Sequence, residues 1–159
     1  MKTYLHPDPK TFQDGARCVL SVLELDGKWR DIDKSFTELF DAGNYGAVAA
    51  KAAHLLGWGE DDGRDPHVVG YGDSSENVMV ALLASKQHDY GPGNILRFGK
   101  EGILVRLFDK ISRYDNLVTR RGADPRNEAV SDTLWDMIGY VVLYKMVNQG
   151  WFTLPLGRF

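Results

Sequence analysis

The chain is poor in most of the features that announce a function. It holds one cysteine, Cys18, among 159 residues, so no internal disulfide can staple it and a reducing compartment is expected. It is not basic: 19 lysines and arginines against 22 acids leave a net charge of −3, which argues against wholesale binding to nucleic acid. Its longest apolar run, Met137 to Val147, is broken by Lys145 and preceded by Asp136, so no segment is expected to span a membrane. Residues 1–10 carry two prolines and lack the basic-then-apolar pattern of a signal peptide. Together these absences lead us to expect a soluble cytoplasmic protein. Also missing are GxxxxGK followed by Ser or Thr, GxGxxG after a strand, GxSxG, HExxH and CxxC. Most familiar NTPase, dehydrogenase, hydrolase and zinc chemistries are thereby excluded.

Sustained period-two alternation is absent as well, and the reading is all-α. Helices are expected over 11–25, stopped by Gly27, over 31–42 with Ser35 and Glu38 as a capping box, and over the alanine-rich 44–58. The segment from Gly57 to Asp73 has five glycines and a proline in seventeen residues and reads as a loop. Its acids, Glu60 to Asp65, lack the ligand spacing of an EF-hand. This loop divides an N-terminal helical segment, 1–70, packed on the rest, from a main helical domain, 71–159. In the latter, Asp73 and Glu76 suggest a start for a helix to about His88, and the Gly/Pro turn DYGPGN ends it. Two stronger helices follow, over 100–119 and 125–148, the second opened by Asp124 and Pro125. Short extended pieces fit Val68–Gly70 and Phe152–Leu156.

The chemistry concentrates in the two last helices. Glu128, Asp132 and Asp136 fall at i, i+4 and i+8, so like charges share one helical edge and call for a compensating cation. Oxygen-only donors suit Mg²⁺ or Mn²⁺ rather than zinc; a solvated acidic face is the plainer alternative. In the preceding helix Arg106, Lys110 and Arg113 share an edge with Asp109 beside them. From Arg97 to Arg126 there are eight bases against four acids, a local +4. Intrahelical salt bridges would account for this; a functional reading gives Asp109 to a metal and the bases to phosphate oxygens. Arg120 and Arg121, on the connecting loop, are either solvated or able to close over a substrate. The turn after Lys86 can present Lys86, Asp89 and Asn94 to a cleft, with Tyr90 placed to stack on a base. Trp135 fits either a base contact or the core.

Three blocks, KQHDYG at 86–91, GILVRLFDKISRYDNL at 102–117 and NEAVSDTLWDMIGYVVL at 127–143, resemble the nucleotide-modification-associated domain 1 family of phages and bacteria. That family is similar in turn to the MazG-like all-α NTP pyrophosphohydrolases. The resemblance covers residues 74–148. It implies a helical bundle of the all-α NTP pyrophosphatase type, here with an extra N-terminal helical segment. In the MazG-like pattern EExxE on one helix and ExxD on the next bind Mg²⁺ around an NTP. Glu128 to Asp132 looks like the second motif with one additional residue between its acids. At the first, Arg106 to Lys110 leaves Asp109 as the single matching acid.

The leading expectation is a Mg²⁺-dependent (d)NTP pyrophosphohydrolase releasing (d)NMP and pyrophosphate. Asp109, Glu128 and Asp132 would be catalytic, and with Asp136 would hold the metal. Lys86, Asp89, Tyr90, Asn94, Arg106, Lys110 and Arg113 would bind the nucleotide. A non-catalytic nucleotide sensor or sponge is the alternative, favoured by the missing EExxE acids. A third reading is a helical module contacting protein or DNA, with helix 44–58 in a helix-turn-helix, although it carries one lysine. The apolar tail, Trp151 to Phe159, either packs on its own domain or supports a homodimer, which is also what the MazG-like resemblance implies.

Overall fold

The first three helices begin where a side chain satisfies backbone N–H groups that a helix start leaves without partners. In the computed structural model, which describes residues 8–23, 33–58, 72–119 and 129–158, all regular structure is helical. Helix α1 (Phe12–Val22) is capped by Thr11, whose hydroxyl accepts from Asp14 N. Helix α2 (Phe36–Asp41) opens with the expected capping box: Ser35 Oγ accepts from Glu38 N at 3.0 Å, and Glu38 Oε1 accepts from Ser35 N. The box therefore sets the start at Phe36, not at Asp31 as expected. Asn44 caps α3 (Tyr45–Leu55) through Ala47 N.

Helix α4 (Gly72–Tyr90) begins one residue before Asp73, which is thus inside the helix rather than its cap. It ends at Gly91, whose φ of +66° and N–H donation to Gln87 O are the left-handed cap read from the Gly/Pro turn. Helix α5 (Gly93–Thr119) is two helical pieces joined at Gly99, where φ is +64°. Helix α6 (Val130–Gln149) starts later than expected, because Ala129 is extended (φ −66°, ψ 154°) and has no side-chain cap. The expected start at Pro125 is therefore corrected: among the described residues the helix begins at Val130. Gly27, the loop from Glu60 to Asp65, Val68–Gly70, Arg120, Arg121, Asp124, Pro125 and Glu128 lie outside the described residues.

Helix α6 is the axis of the structure. Met137, Ile138, Val141, Val142 and Met146 are fully buried along it, and α1, α3, α4 and α5 all pack against it. The alanines of α3 explain how that helix reaches it: Ala47, Ala49, Ala50, Ala52 and Ala53 are buried, and small side chains let two backbones approach closely. On α5, Ile103, Leu107 and Ile111 recur every four residues and face the core. A run of ring contacts, Tyr144 with Tyr45, Tyr45 with Phe40 and Phe40 with Phe108, ties α6, α3, α2 and α5 together at centroid distances of 5.0, 5.5 and 5.1 Å. Each is worth about 0.5–1.5 kcal/mol beyond its area. Residues from α1–α3 and α4–α6 belong to one hydrophobic cluster.

The C-terminal tail is irregular rather than extended strand, and it folds back on α1. Phe12 N donates to Pro155 O, while Gly157 both donates to and accepts from the buried Gln13 side chain. Phe152 is 2% exposed and meets the Phe12 ring edge-on at 6.0 Å. Gly15 leaves the room: an added Cβ would lie 3.1 Å from Trp151 Cβ. Of the two alternatives for the apolar tail, packing on its own domain is the one observed. The larger exposed apolar side chains are instead found on α4 and α5, among them Tyr90, Phe98 and Val105. No described helix is long and apolar enough to cross a membrane.

Candidate functional site

Helices α4, α5 and α6 and the returning tail enclose a pocket of about 300 Å³. From α4 come Met79, Leu82, Leu83, Lys86, Gln87 and Tyr90, a single stripe at i, i+3, i+4, i+7, i+8 and i+11. From α6 come Trp135, Asp136, Gly139, Tyr140 and Leu143; α5 supplies Asn94, Ile95 and Arg106, and the tail supplies Phe152. Aliphatic residues and four aromatic side chains, Tyr90, Trp135, Tyr140 and Phe152, make up most of the lining. Lys86, Arg106 and Asp136 bring the charge. This mixture, mostly apolar with a few convergent polar groups, is the usual make-up of a small-molecule site.

The polar side is built from an antiparallel register between α5 and α6. Lys110 Nζ lies 2.9 Å from Asp136 Oδ2, and Arg113 donates to the buried hydroxyl of Thr133, three residues along each helix. Arg106, one turn before Lys110, reaches the pocket opposite Tyr140. The edge formed by Arg106, Lys110 and Arg113 is thus real and faces α6. Its three members do different things: Arg113 ties the helices, Lys110 neutralises an acid, and Arg106 lines the cavity. Among the described residues Arg106 makes no ion pair and no hydrogen bond.

Asp136 receives a second cation from α4, with Lys86 Nζ 3.6 Å from Oδ1. The acid side chain is 19% exposed, Lys110 22% and Lys86 52%. Trp135 is positioned by Trp58, with ring centroids 5.0 Å apart, so its place beside the pocket is set by packing from the end of α3. Asn94 Oδ1 accepts from Ile95 N at the start of α5. Tyr90 stands at the pocket mouth, 72% exposed.

Six of the residues singled out from sequence therefore share one cavity: Lys86, Tyr90, Asn94, Arg106, Trp135 and Asp136. Lys110 stands behind Asp136, and Arg113 is spent on Thr133. Asp89 is exposed and pairs with His88 at 3.1 Å, away from the pocket lining. Asp109 and Asp132 are exposed and do not line it either. Asp132 sits in the first turn of α6, where the helix dipole favours a carboxylate by about 0.3–1 kcal/mol. Among the described residues no three His, Cys, Asp or Glu side chains converge as a metal cage. Of the three described acids read as metal ligands, Asp136 is the one at the pocket, and two ammonium groups flank it.

Gln87, Gly139, Tyr140, Leu143 and Phe152 were not anticipated. A helix-interior glycine was the available signal for Gly139, since such a residue usually marks a close approach: a Cβ there would stand 3.4 Å from Leu83 Cδ2.

A second hollow, about 330 Å³, lies between α2, α3 and α5. Its charges are engaged within the fold: Lys51 Nζ donates to Lys34 O and lies over the Phe36 ring, and Asp115 accepts from Thr37 Oγ1 at 3.2 Å. Burial, and secondarily the Asp115 carboxylate, raise the Tyr114 phenol above its ordinary value.

No protein-family model, curated protein or solved structure matches the chain.

Proposed function

We propose that this protein binds a nucleoside polyphosphate in the α4–α5–α6 pocket and hydrolyses it between the α and β phosphates with Mg²⁺. The observation that carries the binding half is Arg106. A half-buried guanidinium lining an aromatic-walled cavity, with no partner among the described residues, is a group held ready for an anion. Lys86 adds a second cation from a different helix, and both can meet oxygens of one ligand. Tyr90, Trp135 and Tyr140 offer ring faces to a base, and Asn94 an amide to its polar edge. The hydrolytic half rests on the three-block resemblance to the nucleotide-modification-associated and MazG-like families.

Mg²⁺ would bring charge neutralisation at the phosphates and an activated water. Of the expected donors, Asp136 is the described acid at the cavity. Arg106 and Lys86 would orient the phosphate chain and compensate the charge that develops on it. The flanking of Asp136 by two lysines specifically favours a second reading, a binding protein without turnover.

One experiment separates these. The purified protein is incubated with NTPs and dNTPs plus Mg²⁺, and products are resolved by ion exchange beside an Arg106→Met control. Monophosphate and pyrophosphate, lost in the variant, support the enzyme. Binding without products supports the sensor or sponge, and neither result from any nucleotide removes the nucleotide reading. Self-association belongs to the same proposal, with exposed Phe98 and Val105, not the buried tail, as the contact; sedimentation of a Val105→Glu variant tests it.

A further inference from the structure

The two cations on Asp136 are not equivalent. Lys110 is close, at 2.9 Å, and mostly buried; Lys86 is looser, at 3.6 Å, half exposed, and is the one that lines the pocket. A carboxylate with one firm partner stays neutralised when the looser one departs. A partly exposed ion pair is also weak enough to exchange at small cost. We infer that Asp136 is an internal counter-anion which a ligand's phosphate replaces at Lys86, so that the site admits polyphosphate by ion-pair exchange. This rests on the polyphosphate reading of the pocket and adds what governs its affinity.

The exchange has a direction. On entry, a phosphate oxygen takes the Lys86 ammonium together with the Arg106 guanidinium, gaining two charge-assisted contacts for one weak pair given up. Asp136 keeps Lys110, which goes on neutralising it. The acid opposes polyanion binding by competing for Lys86, even though it lines the site. A nucleoside without phosphate has no call on Lys86 and is indifferent to Asp136. The built-in anion thus sets the affinity of phosphorylated ligands alone, and attraction to Lys86 and Arg106 is what selects them.

The test is calorimetric titration of pyrophosphate and of a nucleoside triphosphate, in EDTA, into the wild type, Asp136→Asn, Lys86→Met and the double variant. Asp136→Asn should bind both ligands about fivefold tighter, the scale of a partly exposed pair. In the Lys86→Met background the same change should add nothing. Weaker or unchanged binding by Asp136→Asn, with the wild type binding normally, overturns the exchange and leaves the nucleotide reading standing. A gain that persists without Lys86 also overturns it, since the effect is then general charge. No binding by the wild type sinks the underlying reading itself. Should Asp136→Asn fold poorly, the Asp136 carboxyl carbon resonance of the wild type serves instead. It should move on pyrophosphate addition while that of Asp89 stays, and immobility of both overturns the inference.

Discussion

Lys110 and Asp136 meet across α5 and α6 at 2.9 Å, in register with the hydrogen bond from Arg113 to Thr133. One side of α5 is thereby fixed against α6, and the next cation on that side, Arg106, is left facing the cavity. The same register that stabilises the helix pair aims the binding group.

Removing Lys110 should therefore cost more than removing Lys86, although both touch the same acid. Lys110→Met leaves a mostly buried carboxylate with one loose partner, and a loss of about 2 kcal/mol is expected, between the exposed and buried limits for ion pairs. Lys86→Met should cost less than about 0.5 kcal/mol. Urea unfolding of the two variants measures the difference, and equal losses would show that Asp136 does not distinguish its partners.

Arg106 should behave in the opposite way. With no partner among the described residues, its replacement by methionine keeps the packing of the stem and removes the charge. Stability should change by no more than about 0.5 kcal/mol, while nucleotide affinity falls at least tenfold. Arg106→Lys should recover part of it, since an ammonium cannot bind two oxygens in fork geometry. A destabilised variant with unchanged affinity would reassign Arg106 to the fold.

These contrasts show what could be read from the chain and what could not. Local chemistry was legible: the Ser35–Glu38 box and the common edge of Lys110 and Arg113 toward α6 are present. The expected start of α2, Asp31, lies upstream of the box, and it is the box that opens the helix at Phe36. The start of α6 gave no signal, since Ala129 offers no capping oxygen, and Asp124–Pro125 drew the boundary upstream. Distant convergence was invisible. Nothing local says that Phe152 returns to α1, that Gly139 lets α4 approach, or that Lys86 shares an acid with Lys110. Spacing places Asp132 and Asp136 on one edge, yet one lies in a solvated first turn and the other in the pocket, because α6 sinks into the core between them.

The tail offers a prediction that joins fold and site. Phe152 is buried against Phe12 and also lines the cavity. Phe152→Ala should cost about 3–5 kcal/mol, the usual loss for a large buried ring. It should also weaken nucleotide binding at temperatures where the variant is still folded, because one wall is lost. Lower stability with undiminished affinity would mean that the tail serves α1 alone.

The last prediction concerns alkaline pH. Burial is the main cause, and Asp115 the lesser, that raises the Tyr114 phenol above its ordinary value of about 10. Burial first and Tyr144 second do the same for Tyr45. A phenol whose pKa is higher folded than unfolded contributes stability that is present in full below the unfolded value. As pH rises past about 10, unfolded chains lose the proton that folded chains retain, and the contribution disappears through the folded pKa. Melting temperatures of the wild type should thus fall in this window. Tyr114→Phe keeps the edge-on contact with Phe36, at 5.1 Å, and removes the titrating group, so its decline should be shallower. Parallel declines would show that Tyr114 ionises alike in both states.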